Sequence, residues 1–211
     1  MTRAVFFDLD LTLLQYTEEF ETIFETAVPN APDGSYEHYL SVFFEAFEHL
    51  STTPYRDGFE AVVSEFDVDA DPEALAARYH EAELAATTVR ESARSAVVRA
   101  ASRGPVGILT NGAPAMQRAK LERHGLDSEV DAIVISNDPD VAARKPDTGI
   151  FEAAETALTA DEYVYVGDTY DEDIVGARRA GWDAIHVGDD GPAEDPARVE
   201  SVDDAVARLF D

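Results

Sequence analysis

The sequence predicts an α/β fold in which a parallel sheet carries helices on both faces and a helical domain is inserted after the first strand. Short apolar runs rich in β-branched residues alternate with helical patterns from residue 106 onwards. Residues 16–95 instead show helical periodicity without a strand signal. We therefore expect residues 1–15 and 96–211 to form the sheet domain and residues 16–95 to form the insertion.

The strands are predicted from short segments that are mainly apolar. Runs of about four to eight apolar residues bounded by turn residues are typical of strands buried on both faces. Such runs occupy residues 4–9, 106–110, 132–136, 163–166 and 184–187.

Helical patterns separate the later strands. They cover residues 114–124, 148–158 and 171–180, and Gly125 and Gly181 follow two of them, where helices commonly end. An alternation of strands and helices favours a Rossmann-like parallel sheet with a helical layer on each side.

The insertion is predicted to be all-helical. Its first helix is indicated by apolar side chains at helical spacing, and residues 36–47 repeat the pattern more strongly. Asp71 is followed by a proline and an acid, which is typical of the start of a helix.

The charge is the most unusual feature of the composition. The chain has 44 acidic and 16 basic residues, a net charge of −28, and only two lysines, Lys120 and Lys145. The acids are spread between periodic apolar residues, so they belong to a folded surface rather than to a disordered tail. Because molar salt shortens the screening length to about 3 Å, we interpret this surface as an adaptation to a saline, halophilic cytoplasm.

The composition also argues against several classes of protein. An acidic surface repels nucleic-acid phosphates, and the absence of cysteine excludes disulfides and thiolate metal sites. No apolar run approaches the roughly 20 residues of a membrane helix, and no signal segment precedes the first strand. We expect a cytoplasmic protein that binds neither nucleic acid nor a membrane.

Two acids lie at the carboxyl end of the first predicted strand. Asp8 and Asp10 are separated by one residue at the end of an apolar run. Ligands of parallel α/β sheets bind at the carboxyl ends of the strands, so these carboxylates should project into a crevice. Paired acids in this place indicate a metal-assisted site.

Three later strand ends contribute further polar groups. Thr110 is the last residue of the second strand and Asn111 follows it, before a glycine, an arrangement suited to holding a phosphoryl oxygen. Lys145 follows the third strand. Asp168, Asp171 and Asp173 follow the fourth, and these acids complete a set of candidate ligands and charges from four strand ends.

The four motifs together resemble the haloacid dehalogenase superfamily, and the resemblance covers essentially the full chain. DLDLT at residues 8–12, LTNG at residues 109–112, RKP at residues 144–146 and GDTYDED at residues 167–173 occur in the order and spacing of that superfamily. The insertion resembles the helical cap of its phosphatase members. The resemblance implies hydrolysis of a phosphate monoester of a small molecule.

The resemblance also implies a role for each motif residue. Asp8 would attack phosphorus and carry an aspartyl-phosphate, and Asp10 would act as the general acid and base. Thr110 and Asn111 would hold the substrate, and Lys145 would neutralise charge on Asp8 and the phosphate.

A Mg²⁺ ion is the implied cofactor. Asp8, the backbone carbonyl of Asp10 and Asp168 would bind it through oxygen, with Asp173 next to these ligands. The choice of ligands among Asp168, Asp171 and Asp173 stays open, and we favour Asp168.

Other functions remain to be weighed. A phosphomutase acting on a sugar phosphate would use the same acids, and a non-catalytic phospho-binding module would be expected to have lost a catalytic residue. Superfamily members that remove halogen lack the second aspartate, whereas Asp10 is present here, so phosphate esters are favoured over haloacids. Leu11 stands where the superfamily most often has glycine, which affects the local loop alone.

The sequence of the cap does not identify the alcohol part of the substrate. Sugar phosphates, phosphoglycolate and nucleoside monophosphates are all compatible with the motifs, and the sequence gives no basis for an oligomeric state. The cap residues expected first near a substrate are Tyr16, Phe20, Phe43, Phe47, Tyr55 and Arg56.

Overall fold

A computed structural model describes residues 1–192 and 195–210 of the chain. Its strands are β1 (Arg3–Phe7), β2 (Leu14–Tyr16), β3 (Thr87–Val89), β4 (Val106–Thr110), β5 (Ala132–Ile135), β6 (Glu162–Gly167) and β7 (Asp183–His186). Its α-helices are α1 (Phe20–Ala27), α2 (Ser35–Glu48), α3 (Pro54–Phe66), α4 (Pro72–Ala85), α5 (Glu91–Ala101), α6 (Pro114–His124), α7 (Thr148–Ala157), α8 (Gly176–Arg179) and α9 (Val202–Phe210).

The central sheet has five parallel strands in the order β5-β4-β1-β6-β7. The strand that carries the first acidic motif lies in the middle, with Phe7 paired to Ile108 on one side and to Val166 on the other. The carboxyl ends of all these strands therefore meet at one edge. The predicted α/β fold is confirmed, and each predicted strand is present within one or two residues of its expected bounds.

Both faces of the sheet are covered, because successive strand residues point to opposite sides. Val5 and Phe7 belong to the apolar core beneath α5 and α9. Phe6 and Tyr165 belong to the core on the other face, beneath α7. This two-sided burial explains why the strands are largely apolar.

The insertion forms a third core from α1 to α4, which we call the cap. Its centre is aromatic, with Phe24 and Phe59 stacked at 5.8 Å between ring centroids. Met116, on α6 of the sheet domain, belongs to the same buried cluster. The cap therefore packs against the carboxyl edge of the sheet beside β4.

The expectation that residues 16–95 contain no strand is wrong. β3 lies in this interval and pairs with β2 in antiparallel register, Tyr16 opposite Thr87. A strand of three residues is too short to produce a periodic signal, and its partner lies about 70 residues earlier in the chain. The sheet domain also takes in α5, which begins at Glu91 and packs through Ala93 and Val97 into the core of the sheet.

The predicted helix over residues 171–180 is also altered. Tyr170–Val175 form a wide turn of π-helix, and the α-helix proper is α8 alone. By contrast, α6 has its predicted bounds and ends at Gly125, whose φ of 67° places it in the left-handed region that favours glycine.

The longest helices have 14 residues. Across the residues that the structure describes, no helix is long and apolar enough to cross a membrane.

Candidate active site

The four strand ends bring the predicted residues together at the carboxyl edge of the sheet. Asp8 follows β1, Thr110 ends β4, Lys145 lies on the loop after β5, and Asp168 follows β6. Asp8, Thr110 and Lys145 are all buried. The edge of the sheet thus holds a compact polar centre whose members come from distant parts of the chain.

Lys145 is the central cation of this site. Its ammonium donates hydrogen bonds to Asp8 Oδ1 at 2.7 Å, to Asp173 Oδ1 at 2.6 Å and to the Tyr165 hydroxyl at 2.7 Å. Tyr165 in turn donates to the carbonyl of Leu109 at 2.6 Å. Although burial opposes the charged form, the carboxylates of Asp173 and Asp8 raise the pKa of Lys145, so the ammonium stays protonated.

Asp8, Asp168 and Asp173 form a cluster of carboxylates. One oxygen from each lies within 4.8 Å of the others. Burial raises the pKa of Asp8 well above its usual range, and Asp173 and Asp168 raise it further against the opposing effect of Lys145. Three carboxylates that face one ammonium leave an excess of negative charge, and oxygen donors of this kind suit a hard divalent cation such as Mg²⁺.

Each of the two later acids is held in place by a neighbouring donor. The Thr12 hydroxyl donates to Asp168 at 2.7 Å, and the backbone N–H of Thr169 donates to Asp173 at 2.9 Å. Gly167 makes room for this arrangement, because a Cβ there would lie 2.3 Å from Asp173 Oδ2. Asp173 therefore lies in the cluster itself, whereas Asp171 is exposed on the wide turn.

The side chain of Asp10 lies apart from this cluster and faces the cap. It accepts hydrogen bonds from Tyr16 at 2.8 Å, from Gln117 at 2.8 Å and from Lys120 at 3.0 Å. Burial favours the neutral form of Asp10, but Lys120 and the hydrogen bonds outweigh it and lower the pKa. The two aspartates of the first motif thus have different environments, and their pKa values are shifted in opposite directions.

Lys120 joins the sheet domain to the cap. It is 2% exposed, and its ammonium lies 2.8 Å from Glu83 Oε1 on α4 as well as next to Asp10. Gln117, one helical turn earlier on α6, also donates to the Thr110 hydroxyl at 2.9 Å. Glu83, Gln117 and Lys120 were not predicted from the sequence to belong to the site, although Lys120 is one of the only two lysines in the chain.

Removing the Lys120 charge is expected to destabilise the fold. Lys120→Met leaves the buried Glu83 and the partly buried Asp10 facing each other without a cation, which should lower the free energy of unfolding by about 3 kcal/mol in urea titrations. Arg118→Met is the matched control, because Arg118 is 52% exposed on the same helix and should change stability by less than about 0.5 kcal/mol.

The double variant Lys120→Met/Glu83→Gln should regain part of the lost stability, because it removes one of the two unpaired charges. Equal unfolding free energies for the wild type and Lys120→Met would contradict this account of the ion pair.

Thr110 and Asn111 are placed differently from each other. The Thr110 side chain is buried at the end of β4 beside Gln117. Asn111 clamps the loop of Lys145, since its Oδ1 accepts from the Lys145 N–H at 2.9 Å and its Nδ2 donates to the Lys145 carbonyl at 3.1 Å and to Glu172 at 2.7 Å. The structure gives Asn111 a part in positioning Lys145, and its contact with substrate stays a prediction.

A cavity of about 370 Å³ opens beside Asp10 between the sheet domain and the cap. Tyr16, Phe20, Phe43, Phe47 and Tyr55, which were expected near a substrate, all line it. Arg56 lies outside the lining and pairs with Glu73 at 3.5 Å. Asp10 and Asn111 line the cavity, and Asn111 is hydrogen-bonded to the loop of Lys145, so the aromatic enclosure adjoins the polar centre.

Comparisons with known proteins found a matching family model and related sequences. A family model described as haloacid dehalogenase-like hydrolase matches residues 2–181. A glyceraldehyde 3-phosphate phosphatase from Pyrococcus abyssi is 30% identical over 200 residues, covering 88% of this chain and 81% of that protein.

A relative from Halopiger xanaduensis, named ribulose-1,5-bisphosphate 5-phosphatase, is 28% identical over 223 residues, with 97% and 91% of the two chains covered. Among solved structures, the putative hydrolase YfnB from Bacillus subtilis, bound to magnesium, has a TM-score of 0.73 at 20% identity over 99% of this chain and 98% of its own. At that identity the structural likeness concerns the fold.

Proposed function

The chain belongs to the haloacid dehalogenase-like hydrolase family as a phosphatase, and from this premise we propose that it hydrolyses the phosphate monoester of a small metabolite with Mg²⁺ in the cytoplasm. The observation that carries the proposal is the placement of Asp8, whose carboxylate accepts a hydrogen bond from Lys145 and lies in the cluster with Asp168 and Asp173. Asp10 lies two residues away in a separate environment, which supports a division of work between the two aspartates.

In the proposed reaction, a carboxylate oxygen of Asp8 attacks phosphorus and the bond from phosphorus to the alcohol oxygen breaks. Asp10, whose pKa is lowered by Lys120 against the effect of burial, must take up a proton before this step. It then donates that proton to the departing oxygen, which leaves an aspartyl-phosphate and a free alcohol. A water molecule then attacks the phosphorus of this intermediate and gives a proton to Asp10. Cleavage of the acyl-phosphate bond releases inorganic phosphate and restores the Asp8 carboxylate.

The remaining residues would stabilise charge during these steps. Lys145 would neutralise the carboxylate of Asp8 and the phosphoryl oxygens, and Thr110 would hold one of those oxygens. The carboxylates of Asp8, Asp168 and Asp173, with the backbone carbonyl of Asp10, would hold Mg²⁺. When bound, the cation supplies positive charge that offsets the negative charge of the phosphoryl group.

The function is tested by measuring phosphate release from a panel of alkyl phosphate monoesters in molar KCl. We expect turnover with Mg²⁺, loss of turnover in EDTA and recovery when Mg²⁺ is restored, because the carboxylate cluster alone repels the phosphate. Folding in each buffer is checked by circular dichroism.

Failure to release phosphate from any ester by folded, Mg²⁺-loaded protein would overturn the proposal. Exchange of labelled phosphate between positions of a sugar phosphate, without release, would favour a phosphomutase in its place.

A further inference from the structure

The cavity beside Asp10 has an unusual lining for a site that receives a phosphorylated metabolite. Its floor is formed by Asp10, Gln117 and Lys120 of the sheet domain, and its walls come from every helix of the cap. Aromatic rings dominate those walls, among them Tyr16, Phe20, Phe43, Phe44, Phe47 and Tyr55. A volume of about 370 Å³ is large enough for one small organic group.

Aromatic rings at helical spacing usually form a core, so exposure distinguishes the two possibilities. In the described part of the chain, the large hydrophobic residues that are exposed are Met1, Leu11, Phe20, Phe44 and Val98. Three of these five line the cavity: Leu11 is 57% exposed, Phe20 40% and Phe44 52%. Apolar side chains left in water around one concave site are typical of a surface that a ligand covers.

The rings also form a continuous wall. Phe43 is in contact with Phe44, Phe47 and Tyr55, with centroid distances of 5.3, 5.8 and 5.0 Å. Offset and edge-on ring contacts of this kind extend readily to a further ring placed against them. The wall therefore favours a planar, apolar group.

The charges in the cavity also favour an uncharged group. Lys120 is the one cation among the lining residues that the structure describes, and it is already paired with Asp10 at 3.0 Å and with Glu83 at 2.8 Å. A second phosphate or a carboxylate on the substrate would find no unpaired cation there and would be repelled by the two acids. Burial of such an anion without a partner is costly.

Two nearby arginines do not alter this balance. Arg144 lies outside the lining, with its guanidinium 4.6 Å from the centre of the Phe47 ring, and pairs with Glu172 at 3.4 Å. Arg56 also lies outside it and pairs with Glu73. Neither places an unpaired positive charge in the cavity.

We propose that the substrate is the phosphate monoester of an uncharged alcohol that carries a planar, apolar ring, and that bisphosphates and phosphorylated carboxylic acids are poor substrates. This inference rests on the proposed phosphatase function. In the bound state the phosphate meets Asp8 and Lys145, the ester oxygen lies beside Asp10, and the ring contacts Phe43 and Phe44. This class of substrate does not include the phosphorylated triose or the bisphosphate that the names of the two relatives give.

The test compares esters of primary alcohols: 2-phenylethyl phosphate, glycerol 3-phosphate, phosphoglycolate and ribulose-1,5-bisphosphate. We expect kcat/KM for 2-phenylethyl phosphate to exceed each of the others by about tenfold or more. A kcat/KM for glycerol 3-phosphate, phosphoglycolate or the bisphosphate that equals or exceeds it would overturn the inference and leave the phosphatase function standing. Hydrolysis of none of the four would count against both.

A pair of variants links the preference to the wall. Phe44→Ser should lower kcat/KM for 2-phenylethyl phosphate about tenfold and change that for glycerol 3-phosphate less than about twofold. Val98→Ser is the control, because Val98 is 54% exposed on α5, away from the cavity, and should leave both values unchanged. Equal losses for both esters in Phe44→Ser would overturn the assignment of the ring to this wall.

Discussion

Asp8→Asn is expected to abolish turnover, with kcat lowered by about 10⁴-fold or more, because an amide oxygen does not replace a carboxylate as nucleophile. The substitution keeps the size of the side chain and removes one charge from a cluster that already holds an excess of carboxylates. Loss of activity should therefore occur in protein that is still folded. Phosphate release and the melting temperature, measured on the same preparation, separate the two effects.

Asp171→Asn is the matched comparison, since Asp171 lies in the fourth motif but is exposed outside the cluster. It should retain nearly all activity. Trapping with ³²P-labelled ester and rapid denaturation should label the wild type and leave Asp8→Asn unlabelled. Turnover by Asp8→Asn close to that of the wild type would remove Asp8 from the role of nucleophile.

Asp10→Asn is expected to have the second largest effect, and its size should depend on the leaving group. With an alkyl ester, loss of the proton donor should lower kcat by about 10³-fold. With 4-nitrophenyl phosphate, the departing oxygen needs no proton, so the first step should be largely preserved. Hydrolysis of the intermediate should still be slow, because the amide that replaces the carboxylate cannot accept a proton from water.

This difference is measured by rapid mixing with 4-nitrophenyl phosphate. We expect a burst of nitrophenolate equal to the enzyme concentration, followed by slow turnover. The wild type under the same conditions is the control. Equal impairment of the first turnover with the alkyl and the aryl ester would contradict a proton-donating role for Asp10.

The sheet and most of the site were predictable because their signals are local. The strands of the central sheet are buried on both faces and are therefore largely apolar, and β1, β4 and β6 carry Asp8, Thr110 and Asp168 at or directly after their carboxyl ends. Asp8, Lys145 and Asp168 could thus be placed at one edge before any contact was known. The roles given to them by resemblance stay predictions until the variants are measured.

The elements that were missed depend on contacts between distant residues. β3 is a strand because it pairs with β2, and nothing within its three residues signals this. The wide turn at Tyr170–Val175 interrupts the regular helical spacing expected there. It carries Asp173, whose carboxylate is in the acidic cluster and 2.6 Å from Lys145.

Lys120 is an instructive omission. The scarcity of lysine drew attention to Lys145, and the same argument applies to Lys120, since both are 2% exposed and both hold carboxylates of the first motif. The sequence does not show which acid of the cap pairs with Lys120. Glu83 lies 37 residues earlier in a helix of the cap, and an acid in a chain with 44 acids carries little signal by itself.

The pairing of β2 with β3 bears on how the cap can change during evolution. The cap leaves the sheet domain at Tyr16 and returns at Thr87, and these two residues are paired neighbours. A segment that departs and re-enters at one point can be lengthened, shortened or exchanged over generations without moving the strand ends that carry the reactive acids. An exchanged segment without an acid at the position of Glu83 would, however, remove one of the two carboxylates paired with the buried Lys120, so this ion pair bears on which caps the chain can accept.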